Sequence, residues 1–429
     1  MARIFARFTR DKAANITIMF AFLIIPIIGA TALAVDFGRT LTVNRQLSAA
    51  VDIAAVGAIA EKSPGAVAAF AMKGNGPIPT AIKDAEGLIL ANLPKGVDKD
   101  DVSLTIDVTK TGNNLKSTIA YAASVPTTLA QVFGYTTFPV EGEVIAEHQI
   151  AKFMDFFILI DNSPSMGVGA TTTDIATMEK NTPDKCAFAC HQLNDPKNYY
   201  ALAKSLGVSM RIDVVRKATQ ELTKTAGATQ QVVGQYKMGV YTFGAKAENA
   251  ALTTISTPIE DLVKVGQYTD AVDLMTTPSK NYNNDQQTNF DAIFGAINGL
   301  IDTPGDGSSE SSREKILFFV SDGVGDAYKP YNCTKKKSGN RCQEPIDTSL
   351  CQPLKDRGVK IAVLYTTYLP LPKNGWYNTW IKPFQPEIPS RMAACATPGL
   401  YYEVSANGGI VEAMNALFVK TIRTVKLSK

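Results

Sequence analysis

The residues best suited to chemistry are hard oxygen donors gathered at the end of an apolar run. Phe153-Met154-Asp155-Phe156-Phe157-Ile158-Leu159-Ile160 leads straight into Asp161-Asn162-Ser163-Pro164-Ser165-Met166. Two later points can complete the set. Thr288 opens the helix-like run Thr288-Asn289-Phe290-Asp291-Ala292-Ile293, and Asp322 follows the apolar run Lys315 to Ser321. Carboxylates and hydroxyls suit a hard cation such as Mg2+ or Mn2+, which takes oxygen ligands in a near-octahedral shell and keeps several waters. An open position on such an ion would accept an oxygen from a partner.

Enzymatic uses of the same residues compete with this reading. A strand ending in Asp also opens phosphatases of the haloacid-dehalogenase type, and Asp322-Gly323-Val324-Gly325-Asp326 could pass for their distal acidic motif. That chemistry places a second Asp two residues after the nucleophile, where this chain has Ser163. A nucleophilic serine would need an activating base. His148 and His191 are the two histidines, and neither adjoins a serine in a hydrolase motif. A non-enzymatic role is expected, with a metal-dependent phosphohydrolase as an alternative.

The elements that must position these donors alternate after residue 151. Buried-looking strands are Phe153 to Ile160, Tyr236 to Phe243, Lys315 to Ser321 and Val359 to Thr366. Helical spacing runs through Ile212, Val215, Ala218 and Leu222, through Phe290, Ile293, Ile297 and Leu300, and through Ile410, Met414, Leu417 and Phe418. Such alternation predicts an α/β fold: a doubly wound, mainly parallel sheet with helices on both faces. Ligands bind such sheets at the carboxyl ends of the strands, where Asp161 and Asp322 fall.

The N-terminus has a different character. No charged residue occurs from Ala13 to Val35, and 23 residues at 1.5 Å each reach about 34 Å, enough for a hydrocarbon core of about 30 Å. Pro26 is tolerated in a membrane helix. Arg3, Arg7, Arg10 and Lys12 precede the run against Asp11 alone, so the positive-inside bias puts the N-terminus in the cytoplasm and everything after Asp36 outside. A cleaved signal peptide competes, since Ala30-Thr31-Ala32 and Ala32-Leu33-Ala34 look like cleavage sites. The retained anchor is preferred because the helical pattern continues: Leu47, Val51, Ala54 and Ala58 share a face, and Ser63-Pro64-Gly65 is expected to stop the helix.

Arg7-Phe8-Thr9-Arg10-Asp11-Lys12, the apolar run from Asn15, the block Ala34-Val35-Asp36-Phe37-Gly38-Arg39, and the small-residue helix Gln46-Leu47-Ser48-Ala49-Ala50-Val51-Asp52 together resemble TadE/TadG-like proteins of bacterial Flp (tight-adherence) pilus assembly. The resemblance covers residues 1–62 and implies a single-pass inner-membrane protein with its main domains periplasmic or at the cell surface. Residues 66–150 read as a small α+β segment. A helix is expected over Ala81 to Leu93, strands over Val102 to Val108 and Ser117 to Tyr121 around a turn at Gly112-Asn113-Asn114, a helix over Thr127 to Phe133, and a strand near Val140 to Glu147. A long helix leading into a small sheet is similar to pilin architecture.

Asp161-Asn162-Ser163-Pro164-Ser165 matches the Asp-x-Ser-x-Ser motif of von Willebrand factor A domains, with Thr288 and Asp322 in the places of that family's later threonine and aspartate. The resemblance implies a metal-ion-dependent adhesion site in which Ser163, Ser165 and Thr288 bind the metal directly, while Asp161 and Asp322 act mostly through water. It also implies a protein partner that offers a carboxylate. Pro164 stands where the family often has Gly, and stiffens the loop without removing a ligand side chain.

All six cysteines, Cys186, Cys190, Cys333, Cys342, Cys351 and Cys395, follow the apolar run. An even count in an oxidising compartment suggests disulfides, and of the 15 possible pairings spacing favours Cys186 with Cys190, Cys333 with Cys342, and Cys351 with Cys395. Haem attachment would need two residues between Cys186 and Cys190 instead of three, and zinc lacks a second Cys/His pair at finger spacing. Three extra loops, residues 167–207, 329–349 and 368–392, are expected to shape partner specificity.

At 429 residues the chain needs more than one folded unit, and its net charge of +3 without an arginine-rich stripe points to no nucleic acid. Lys335-Lys336-Lys337 reads as a solvated loop. The expected organisation is 1–62, cytoplasmic tip, transmembrane helix and helical extension; 66–150, the α+β segment; and 151–429, the von Willebrand A-like domain. The expected role is a membrane-anchored pilus-assembly or adhesion protein, with other pilus-assembly components as further partners. A structural envelope anchor with a non-functional metal site is the alternative of another class.

Overall fold

A computed structural model describes residues 12–72, 74–150, 152–188, 191–193, 195, 198–278, 287–404 and 409–422. The chain divides into two compact units that meet between Ala151 and Lys152.

The first unit begins with helix α1, Lys12–Gly57, which contains Pro26 and is, among the described residues, the one helix long and apolar enough to cross a membrane. Met19, Phe20, Phe22, Leu23, Ile25, Ile27 and Ile28 are exposed on it. From Gly29 onward a buried stripe at helical spacing, Ala32, Asp36, Thr40, Val43, Leu47, Val51 and Ala54, turns toward the rest of the unit.

Helix α1 ends at Gly57, and Ser63-Pro64-Gly65 does not stop it. These residues start helix α2, Pro64–Ala71: the Ser63 hydroxyl accepts from the Ala66 N–H at 3.0 Å and Pro64 sits at a first-turn position that needs no N–H. Gly65 lets α2 close on α1, since a Cβ there would lie 2.2 Å from the Ala58 carbonyl oxygen.

Helix α3, Pro79–Ala91, then packs with an antiparallel sheet of β1 (Val102–Thr111), β2 (Asn114–Pro126) and β3 (Thr137–Gln149), edged by the short strand Gly76–Pro77. Val108, Leu115, Ile119 and Val140 share one core with Leu47, Val51, Ala81 and Ile89, so the helical extension and the α+β segment fold together. The helix expected over Thr127 to Phe133 is only a 3-10 turn, Ala130–Phe133, closed by Gly134 in the left-handed region at φ 92°.

The second unit is the doubly wound α/β fold. Its strands are β4 (Met154–Ile160), β5 (Tyr236–Thr242), β6 (Thr253–Ile259), β7 (Glu314–Ser321), β10 (Lys360–Thr366) and β11 (Tyr401–Val404), in the spatial order β11-β10-β7-β4-β5-β6. Every pairing is parallel except that of edge strand β6 with β5. Beyond their first residues the central strands are almost wholly apolar because both faces are covered. Phe156, Ile158, Ile316 and Phe318 pack against helices α5 (Arg211–Thr229), α6 (Leu262–Tyr268) and α9 (Ile410–Ile422). Phe157, Leu159, Leu317 and Phe319 face α7 (Phe290–Leu300) and α8 (Ile388–Cys395) on the other side.

The extra loops carry structure of their own. Residues 167–207 include α4 (Thr172–Asn181), opened by a Thr171–Asp174 capping box, and a short helix at Tyr199–Ser205. The second loop belongs to a small antiparallel sheet of β8 (Val324–Tyr328), β9 (Arg341–Pro345) and Lys337–Ser338. Cys333 is bonded to Cys342, and Cys351 to Cys395. Cys190, and with it the proposed pairing to Cys186, lies outside the described residues.

Candidate metal centre

Strand β4 comes first in the second unit yet lies at the middle of its sheet. The chain leaves it to build β5 and β6 on one side, then returns to build β7, β10 and β11 on the other. The carboxyl ends of β4 and β7 therefore flank the point where strand order reverses, the usual ligand crevice of such sheets. Asp161 and Asp322 immediately follow these two strands, and the Asp161 N–H still donates to the Val320 carbonyl at 2.9 Å.

The loop after β4 folds back on Asp161. The Ser163 N–H donates to Asp161 Oδ1 at 3.0 Å, and the 3-10 turn Pro164–Gly167 brings the Ser165 hydroxyl to 3.1 Å from that of Ser163. On the adjoining loop the Val324 N–H donates to Asp322 Oδ1 at 3.1 Å. Asp161, Ser163 and Ser165 are thus joined by hydrogen bonds, and Asp322 lies close enough for its charge to act on Asp161, with both carboxylates and Ser163 wholly buried.

Burial, and next the charge of Asp322, push the Asp161 carboxyl up to about 7 against the opposing hydrogen bonds from Ser163 and Ser321. Asp322 is also raised by burial, while the charge of Arg211 works against the shift.

Three residues that sequence reasoning passed over hold this cluster. Ser321 donates its hydroxyl to Asp161 Oδ2 at 2.6 Å. Asn162 ties the loop to its surroundings: Nδ2 donates to the carbonyls of Gly244 at 2.8 Å and Asp273 at 2.9 Å, and Oδ1 accepts from the Phe243 N–H at 3.0 Å.

Arg211, the first residue of α5, is the third. Its side chain is 0% exposed, Nη1 reaches Asp322 Oδ2 at 3.2 Å, and the guanidinium lies 4.9 Å from the centre of the Tyr368 ring. Its Nε and Nη2 have no hydrogen-bond partner among the described residues. The neighbouring Asn162 offered a sequence signal by adjacency to the motif. Arg211 offered none, because it reaches Asp322 across 111 residues.

Thr288 is buried but held differently from the expectation. It does not open the helix; Asn289 caps α7, accepting from the Ala292 N–H at 3.1 Å. Thr288 exchanges backbone hydrogen bonds with Asp326 at 2.9 and 3.1 Å, which anchors it to strand β8, just beyond Asp322. Asp161, Ser163 and Ser165 are joined by direct hydrogen bonds and Asp322 is held by Arg211 and the Val324 N–H, whereas Thr288 is tethered to their surroundings through its backbone.

The donor set is chemically suited to a hard divalent ion: oxygens alone, two of them carboxylates. With both carboxylates ionised, as a bound divalent cation would require, the two carboxylates and one guanidinium sum to −1 and the cation would bring the site to +1.

A family model for Flp pilus-assembly TadE/G-like proteins matches residues 14–69, which take in most of α1 and most of α2. The N-terminal region is therefore similar to that family. No curated protein matches the chain. Among solved structures, the vWF domain of the type V pili tip protein Mfa5 from Porphyromonas gingivalis is similar at 9% identity with a TM-score of 0.37, over 65% of this chain and 99% of that one. The three N-terminal domains of Mfa5 are similar at 10% identity and TM-score 0.33, over 73% of this chain and 54% of that one.

Proposed function

We propose that this is a membrane-anchored, non-enzymatic protein of a pilus-assembly or adhesion system that docks a protein partner through a divalent-metal site of the von Willebrand A type. The observation that carries the reading is the gathering of Asp161, Ser163, Ser165 and the buried Asp322 at the switch point of a doubly wound sheet. Ser163, Ser165 and Thr288 would hold Mg2+ or Mn2+ directly, with Asp161 and Asp322 behind them. The ion would supply a Lewis-acidic position for an incoming oxygen.

Arg211 sharpens the choice of partner. With the ion in place the site carries +1, so a carboxylate from a partner restores neutrality, whereas an amide or hydroxyl does not. Serine nucleophilicity is poorly supported: His191 is stacked on Tyr200 with ring centres 4.4 Å apart, and its Nδ1 lies 3.3 Å from the Leu274 carbonyl. The match of residues 14–69 to a pilus-assembly family, together with the length and apolar surface of α1, supports an inner-membrane anchor with the second unit outside the cytoplasm.

The test is Mn2+ paramagnetic resonance on the detergent-solubilised full chain. One bound ion per chain is expected, displaced by Mg2+, lost in Ser163→Ala with Ser165→Ala, and perturbed by added acetate. Failure of the wild-type chain to bind Mn2+ would leave the structural-anchor reading in its place.

A further inference from the structure

Between Ser117 and Val140 the chain carries no charged residue. At the end of this stretch nearest α1, the 3-10 turn Ala130–Phe133 and its flanks present Leu129, Val132, Phe133 and Tyr135, all exposed, with Val132 81% exposed. Four large apolar side chains on one short tip are unusual at a surface facing water.

The tip rests on α1. The Phe133 ring lies over Gly29, where an added Cβ would meet it at 3.4 Å. Asp36 fastens the same turn: its carboxylate accepts the N–H groups of Thr128 at 3.0 Å, Leu129 at 2.8 Å and Ala130 at 2.6 Å. Arg39 adds a bond to the Thr128 hydroxyl at 2.5 Å.

Gly29 precedes Asp36 by seven residues, or about 10 Å along the helix axis. If Asp36 marks the outer edge of the membrane, the Phe133 ring lies inside a leaflet whose hydrocarbon depth is about 15 Å. Irregular backbone survives at that depth only when its polar groups are satisfied internally, and the Asp36 carboxylate does this for three consecutive N–H groups. Gly134 donates to the Gln131 carbonyl at 3.0 Å and Tyr135 to that of Ala130 at 3.3 Å, which closes the rest of the turn.

We propose that residues 129–135 form a wedge inserted into the outer leaflet beside α1, a second point of attachment that fixes the first unit against the bilayer. The occupant of this apolar surface is lipid, because the patch is continuous with the exposed apolar belt of α1. The proposal rests on the reading of α1 as a membrane anchor.

The experiment reconstitutes the full chain and its Val132→Trp and Leu129→Trp variants in phosphatidylethanolamine/phosphatidylglycerol vesicles. Flotation after a carbonate wash first reports whether the chain is integrated, which tests the anchor alone. Lipids brominated at shallow or deep acyl positions then report depth, with the wild-type emission subtracted. The added emission is expected to be blue-shifted and quenched by the brominated acyl chains. An integrated chain whose added emission stays water-like and unquenched would overturn the wedge while leaving the anchor. A blue shift that disappears as protein is diluted into more lipid would also overturn it, by assigning the patch to a second copy of the chain.

Discussion

At Asp161 the cost of burying a charge beside Asp322 outweighs the hydrogen bonds from Ser163 and Ser321, so the folded carboxyl keeps its proton up to about pH 7. The unfolded carboxyl releases it near 3.8. Between these values the folded state binds the extra proton, and stability of the metal-free chain should fall as pH rises through that window. Urea midpoints without metal are expected to be higher at pH 5 than at pH 8, and Mg2+ should raise the midpoint more at pH 8, where it need not displace a proton. Equal midpoints at the two pH values would contradict the burial of this charge. Arg211→Met should destabilise the metal-free second unit by about 3–5 kcal/mol, because it strands Asp322 without its cation. Added Mg2+ should recover part of that loss, measured by urea titration with and without the ion. Asp161, Ser163, Ser165 and Asp322 were legible because each sits in or directly after a continuous apolar strand. Arg211 and Ser321 were not, because their meaning arises only when β4, β7 and α5 converge.

Among the elements, strands β4, β5, β7 and β10 were readable from composition, since a strand buried on both faces has little choice but an apolar run. Two short segments misled for a common reason. Ser63-Pro64-Gly65 contains residues that stop one helix as readily as they start another, and only the close contact with Ala58 settles which. The stretch from Thr127 to Phe133 has a helix-like composition, but Asp36 takes three of its N–H groups from 92 to 94 residues away. Cysteine spacing proved more informative. The loop closed by Cys351–Cys395 spans 44 residues and that closed by Cys333–Cys342 spans 9. Loop-closure entropy makes these worth about 4 and about 2–3 kcal/mol respectively. Cys395→Ser should therefore lower the thermal midpoint more than Cys342→Ser, as read by scanning calorimetry under non-reducing conditions.

For the whole molecule, the division between Ala151 and Lys152 leaves each unit with its own core, built from different helices. Calorimetry of the full chain should show two transitions. Mg2+ is expected to raise one and leave the other in place, because all the candidate ligands belong to the second unit; a single transition that moves as a whole would contradict this. The place of β4 in its sheet has a temporal consequence too. Its partner β7 reaches Asp161 through Ser321, 160 residues further along. At about 5–20 residues per second of synthesis, this strand would wait roughly 8–30 s for the neighbour that completes it. A chain delivered across a membrane as it is made would present one of its most aggregation-prone segments early, and the demand for a holding chaperone on the far side should be greatest during that interval.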